Sequence, residues 1–219
     1  MIIVYYSYIS KHLHQRLLNF LPFFSEAFRK KIKKYKKWED AQLSLMGRLL
    51  LKEGLEKNFD YVYNDNEIDL TSNFKPYFKS KKVQFNISHS GSIVVCAISR
   101  EYDIGIDIEI IKDIEIEHFK SHMTDYEWSK IMTENSLKFE TFFNYWTQKE
   151  AAVKANGKGL YIPLKSFEVK NCRTIIENNK YIIKELKIDS RYKCNIGFRE
   201  KNDFPSDEIF IIKLVHFEF

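Results

Sequence analysis

The chain has 219 residues, 35 Lys and Arg against 30 Asp and Glu for a net charge of +5, 44% hydrophobic and 30% charged residues. That is the composition of a soluble globular protein long enough to bury a sound core as one or two domains. No apolar run approaches the roughly eighteen residues that span a bilayer, and no membrane partner is expected. Three cysteines, Cys96, Cys172 and Cys194, an odd number with no Cys-x-x-Cys, fit buried thiols in a reducing compartment better than a disulfide framework or zinc.

Residues 1–6 read as a first strand rather than a cleavable signal, and a cytoplasmic location is expected. Seven positive charges follow within residues 29–37, above an apolar stripe of Phe24, Phe28, Ile32 and Tyr35 at helical spacing. An amphipathic basic helix is predicted there, its charged face either solvated or facing an anionic surface such as a nucleic acid. A second, longer helix is predicted from Trp38 to about Gly54. Asn64 to Glu67 lacks the glycine and terminal glutamate of a calcium loop and reads as a solvated turn. Strands are predicted at Val83–Ile87 and Ile93–Ile98, with Ser88 and His89 in the turn between them.

Ile104, Ile106 and Ile108 then alternate with Gly105, Asp107 and Glu109. A strand here turns its isoleucines to a core and both acids to the opposite face, their Cα atoms about 6.5 Å apart, where they are either solvated or converge on one hard cation. Gly105 on that face permits close approach of a ligand or another strand. His118 and His122 can share a helix face but lack the third ligand of a zinc site. Phe139, Phe142, Phe143, Trp146, Glu150 and Val153 recur at threes and fours, which predicts a helix with Glu150 near its buried face. Lys154, four residues on, offers either a routine helix salt bridge or part of an anion site. Gly157 is placed to end the helix, with Lys158 in a basic loop beyond it. Tail strands are predicted at Ser166–Val169, Tyr181–Leu186, Tyr192–Phe198 and Ile209–Val215.

Read in order, Asn86-Ile87-Ser88-His89-Ser90-Gly91, Gly105-Ile106-Asp107-Ile108-Glu109 and Trp146-x-x-Lys149-Glu150-Ala151-x-x-Lys154-x-x-Gly157-x-Gly159-Leu160 resemble the 4′-phosphopantetheinyl transferase family. The likeness is to its larger, monomeric type that activates nonribosomal peptide synthetases, not to the small trimeric holo-acyl-carrier-protein synthases. It implies transfer of the phosphopantetheine arm of coenzyme A to a serine of an apo acyl or peptidyl carrier protein, with release of adenosine 3′,5′-bisphosphate. By resemblance, Asp107, Glu109 and Glu150 hold magnesium, and Glu150 or a water it orients serves as general base. Lys154 contacts the pyrophosphate, with Lys149 and Lys158 as helpers. Ser88, His89, Lys31, Lys75, Pro76 and Ser44 bind coenzyme A, Lys31 and Ser44 at its 3′-phosphate. Two departures stand out: Phe74 replaces a family glycine before Lys75-Pro76, and Leu43 replaces an arginine before Ser44.

The alternation of a few helices with antiparallel hairpins argues an α+β fold. The resemblance adds a pseudo-twofold pair of similar α/β halves in one chain, residues 1–101 with the basic helix and 102–219 with the carboxylates, and the active site between them. Two rival activities remain open at this level. One is a magnesium-dependent phosphohydrolase using the same acids; the other is a nucleic-acid-binding module using residues 29–37, although no nucleic acid is expected.

Overall fold

The computed structural model describes residues 1–80, 82–201 and 210–216. In chain order the elements are β1 (Ile2–Tyr8), α1 (His14–Leu18), α2 (Glu26–Lys34), α3 (Trp38–Asn58), β2 (Ile68–Leu70), β3 (Pro76–Phe78), β4 (Gln84–Ser90), β5 (Ile93–Ser99), β6 (Ile104–Ile110), α4 (Asp125–Thr133), α5 (Lys138–Asn156), β7 (Arg173–Ile176), β8 (Asn179–Glu185), β9 (Tyr192–Arg199) and β10 (Phe210–Leu214). None of the described helices is long and apolar enough to cross a membrane. The α+β class is borne out, and the chain forms two compact units.

The first unit holds Met1–Thr71, Pro76–Glu101 and β10. Its sheet has the order β10-β1-β5-β4, and α3 packs on β5, β1 and β4. Leu45, Met46, Leu49 and Leu50 of α3 meet Ile3, Tyr5, Val94 and Ile98 in one buried core, which Phe28 and Ile32 of α2 join. The apolar stripe of the basic helix therefore faces the core, as its spacing requires. The last strand departs from the two halves read from the sequence. Instead of belonging with the carboxylate half, β10 pairs in parallel with β1, Ile2 opposite Phe210 and Tyr6 opposite Leu214. Ile209, the expected start of that strand, lies outside the described residues.

The second unit holds Ser72–Lys75 and, among the described residues, 102–201, around a sheet of order β6-β9-β8-β7 with α5 across it. Helix and sheet touch backbone to backbone. A Cβ on Gly105 would stand 2.3 Å from both the Ala151 carbonyl oxygen and the Ala155 nitrogen. Gly105 thus admits a helix, not the ligand or strand that its position offered in the sequence. Asn195 of β9 fixes the same contact by donating to Thr147 at 2.8 Å and Asn144 at 3.1 Å. Gly105→Ala is expected to push α5 off β6 and cost about 2–3 kcal/mol, the range of an overpacked core. Urea unfolding checks it, and an unchanged midpoint would contradict the contact.

Two tail and turn expectations are corrected. Ser166–Val169 is not a strand, because its backbone is satisfied by buried side chains: Phe167 O accepts from Lys149 at 2.7 Å and Val169 N donates to Glu127 at 2.8 Å. Ser88 and His89 are not in a turn. β4 runs on to Ser90, with Ser88 opposite Val95 and His89 opposite Val94, and the reversal falls at Gly91, whose φ is 54°. That left-handed conformation is open to glycine and explains why the strand continues up to it.

Phe74 also has positive φ, 61°, and its side chain is 80% exposed. A non-glycine residue pays roughly 1–2 kcal/mol for this region, and little burial here offsets it. Phe74→Gly is therefore expected to raise stability by about 0.5–1 kcal/mol, after the extra freedom glycine gives the unfolded chain. The check is a higher denaturant midpoint at unchanged slope.

Candidate active site

Because α5 lies directly over β6, the acids and lysine of two separated motifs meet. Asp107 is 4% exposed, and Lys154 Nζ donates to its Oδ1 at 2.5 Å and to Ile106 O at 3.3 Å. This bond to Asp107 crosses from α5 to β6 and is not among the two roles that the spacing of Lys154 offered. Glu150 is held above the usual carboxylate range, chiefly by burial, with the charge of Lys154 opposing and the charges of Asp107 and Glu109 adding to the rise. Three carboxylates and one ammonium thus share a local field, with Asp107 and Glu109 two apart on one face of β6.

Hard oxygen donors crowded until they repel one another are the donor set that a magnesium ion relieves, so these residues fit that ion in type. They are not arranged around one: among the described residues no three His, Cys, Asp or Glu side chains stand together as a coordinating group. The Lys154 ammonium compensates Asp107 in the structure as it stands.

Helix α5 ends where the sequence places its end. Gly157 adopts φ 87° and donates to Val153 O at 2.9 Å. Lys75 donates to Lys154 O at 2.7 Å and to Ile104 O at 3.2 Å, placing a positive charge at the negative end of the helix dipole. Burial pushes Lys75 down to about 8, with the charge of Asp103 opposing. Its ammonium is thus directed at the carbonyls beside Lys154. Lys158 is exposed and pairs with Glu177 at 2.7 Å.

Lys149 is the clear correction. It sits next to Glu150 in sequence, yet it is fully buried and its ammonium donates to both Glu127 oxygens, at 2.8 and 2.7 Å, and to Phe167 O. A side chain so enclosed does not reach a phosphate; it joins α5 to α4 and to the segment after Pro163. No signal marked Glu127 as the partner of Lys149. However, Thr124-x-x-Glu127 is a capping box, and it announces α4: Glu127 N donates to Thr124 Oγ1 and Thr124 N to Glu127 Oε2.

In the first unit a cleft of about 200 Å³ is lined by Phe28, Lys31, Tyr35, Ser44, Arg48, Pro76, Phe85, Asn86, Ile87 and His89. Four residues singled out in the sequence, Lys31, Ser44, Pro76 and His89, come together there; Ser88 is buried in β4 beside them and is not part of the lining. Arg48, one helical turn beyond Ser44, lines the cleft as well. Leu43 is 5% exposed and belongs to the core, so the position before Ser44 gives the cleft nothing. A larger cavity of about 450 Å³ in the second unit, lined by Glu168, Arg173, Lys180 and Tyr181 among others, contains none of the candidate residues. Size alone does not choose the site.

The family model of the 4′-phosphopantetheinyl transferase superfamily matches residues 103–204, and that of the N-terminal part of 4′-phosphopantetheinyl transferases matches residues 11–101. The chain is 36% identical over 170 residues to the 4′-phosphopantetheinyl transferase gsp of Aneurinibacillus migulanus, covering 74% of this chain and 70% of that one. It is 31% identical over 197 residues to the 4′-phosphopantetheinyl transferase Sfp of Bacillus subtilis strain 168, covering 86% and 87%. To the 4′-phosphopantetheinyl transferase ffp of Bacillus subtilis it is 29% identical over 221 residues, covering 93% and 95%. Likeness of this extent takes in the cleft-bearing stretch and the carboxylate-bearing stretch alike, and the chain belongs to the 4′-phosphopantetheinyl transferase superfamily.

Proposed function

We propose that the chain moves the 4′-phosphopantetheine arm of coenzyme A onto a serine of an apo carrier protein, with peptidyl carriers of nonribosomal peptide assembly as first candidates and acyl carriers as second. The observation that carries this reading is the meeting of Asp107, Glu109, Glu150 and Lys154 where α5 crosses β6. Cleaving a pyrophosphate calls for charge neutralisation and a positioned hydroxyl more than for covalent catalysis.

The serine oxygen forms a bond to the pantetheine-side phosphorus, and the bond from that phosphorus to the bridging oxygen breaks. Adenosine 3′,5′-bisphosphate departs with the bridging oxygen. The serine proton passes to the Glu150 carboxylate, directly or through one water, and a carboxyl raised above its usual range is the better base for it. Lys154 supplies positive charge to the pyrophosphate oxygens. Asp107, Glu109 and Glu150 would hold magnesium, which when bound adds charge neutralisation at those oxygens. In the first unit, Lys31, Ser44 and His89 line a cleft suited to the nucleotide end of coenzyme A.

The test is intact-mass spectrometry of an apo peptidyl carrier incubated with the chain, coenzyme A and magnesium, against EDTA and enzyme-free controls. Transfer adds about 340 Da, one phosphopantetheine arm, to the carrier. Steady release of adenosine 3′,5′-bisphosphate with no carrier present would move the reading to a phosphohydrolase. No mass gain on peptidyl or acyl carriers, from folded protein, would overturn it.

A further inference from the structure

The stretch Ser72–Lys75 lies far in sequence from the rest of the second unit, yet it is clasped to the end of α5. Asn73 Nδ2 donates to Gly157 O at 3.3 Å, and Lys75 Nζ donates to Lys154 O at 2.7 Å. The carbonyls of a helix's final turn have no partner within the helix, so donors brought to them from elsewhere complete its end. The aliphatic stem of Lys75 passes Gly157, where an added Cβ would meet Lys75 Cδ at 3.6 Å. Phe74, between the two donors, is exposed.

Lys75 reaches β6 as well, donating to Ile104 O at 3.2 Å, and Ile104 is the first residue of that strand. One ammonium therefore ties the end of α5 to the start of β6, the two elements whose crossing brings Lys154 to Asp107. Lys154 is held at both ends, its carbonyl by Lys75 and its ammonium by Asp107 Oδ1 and Ile106 O. Its backbone has no slack over the strand: a Cβ added to Gly105 would stand 2.6 Å from Lys154 Cβ. By resemblance Lys75 is a coenzyme A contact. However, main-chain carbonyls take two of the three donors of its ammonium, and a phosphate could claim them only by freeing the end of α5.

We propose that Lys75 is a positioning residue of the proposed transfer: it fixes the Lys154 main chain, and through it keeps the Lys154 ammonium at the carboxylates, without gripping coenzyme A. The kinetic consequence rests on the transferase reading, whereas the clasp itself does not. A misplacement of about 1 Å in such a site costs roughly 10²-fold in rate, so loss of Lys75 is read in turnover and not in affinity for coenzyme A.

Two measurements are made on the full chain, on Lys75→Met, Lys75→Arg and Lys154→Met, and on the double variant Lys75→Met with Lys154→Met. The first needs neither metal nor carrier: heteronuclear NMR of the lysine ammonium groups, in which the Lys154 signal is identified by its disappearance in Lys154→Met. Paired with Asp107, this ammonium is expected to exchange with water more slowly than those of exposed lysines. That protection is expected to fall about tenfold in Lys75→Met, as the last turn of α5 opens more often. Lys75→Arg restores part of it, since its fork keeps charged donors near both carbonyls.

The second measurement is transfer to an apo peptidyl carrier with coenzyme A and magnesium. In Lys75→Met, kcat is expected to fall about tenfold to 100-fold, while KM for coenzyme A and its dissociation constant by calorimetry stay close to their original values. In the Lys154→Met background the same change should cost little further, because one residue acts through the other. An unchanged Lys154 signal in Lys75→Met would overturn the inference. So would weakened coenzyme A binding at unchanged kcat, or an undiminished loss of kcat in the Lys154→Met background. Should Lys75→Met not fold, Lys75→Gln, which keeps a donor for one carbonyl, takes its place. No transfer by the unsubstituted chain would overturn the transferase reading, and the Lys154 signal would still decide the clasp.

Discussion

Glu150→Gln is expected to reduce the rate of carrier modification by about 10²- to 10⁴-fold, the loss typical of a removed general base. The substitution keeps shape and takes away charge and basicity, so a fall in rate at unchanged fold reports chemistry and not packing. A base must be unprotonated, and burial holds this carboxyl above the usual glutamate value of about 4.3. In the metal-free chain this carboxyl therefore titrates above the ordinary carboxylate range, a step that disappears in the variant and that NMR titration reads. Stability moves in the opposite sense. A carboxyl whose folded pKa is raised binds its proton more tightly in the folded than in the unfolded chain. Its ionisation therefore disfavours folding from the unfolded pKa upward. Glu150→Gln is accordingly expected to match or exceed the original melting temperature near neutral pH, with any gain vanishing in acid. Asp107→Ala is expected to lose comparable activity. Original rates in both purified, folded variants would remove the proposed site.

Glu127→Ala or Lys149→Ala is expected to cost about 3–5 kcal/mol, the range for breaking a buried ion pair by removing one partner. Both side chains have 0% exposure, and neither charge has water to turn to when the other is removed. Glu127 also accepts from Thr124 N and Val169 N, so its loss leaves those backbone donors unsatisfied as well as the ammonium. Burial pulls Lys149 below the usual lysine range, and the hydrogen bond and charge of Glu127 oppose that fall. Without Glu127 the ammonium keeps the Phe167 carbonyl, the Phe167 ring with its centroid 4.5 Å away, and the charge of Glu168. The paired replacement Glu127→Leu with Lys149→Met should cost less than the sum of the single changes, and a double-mutant cycle in urea measures the difference. Strict additivity would mean that the pair is not coupled.

What could be read from the residue order was what local periodicity encodes. The threes and fours from Phe139 to Val153 placed α5, the alternation at Ile104–Ile108 placed β6, and Gly157 placed the end of the helix. The two motifs face one another because Gly105 lets the helix down onto the strand, which spacing permitted without naming the occupant. Long-range partners were not legible. Lys149 and Glu127 lie 22 residues apart on different helices, and nothing local distinguishes a lysine bound for a core from one bound for a phosphate. The same blindness hid Asp65, which is buried and accepts from Ser25 and Tyr63 although its surroundings, Asn64 to Glu67, read as a solvated turn. At Phe74 the residue order showed only that a family glycine is replaced; the positive φ of 61° comes from the structure.

The parallel pairing of β10 with β1 has a consequence for the order of events during synthesis. Ile2, Ile3 and Val4 leave the ribosome long before residues 210–214, yet the outer side of their strand is covered only when that later segment has been made. Until then a nascent first unit presents a bare, strongly apolar strand, a template for pairing with other chains. Its closure joins segments far apart in sequence, Ile2–Tyr6 with Phe210–Leu214, and is correspondingly slow to form. Yield of soluble protein should therefore depend on chaperone supply during translation more than the stability of the finished fold would imply.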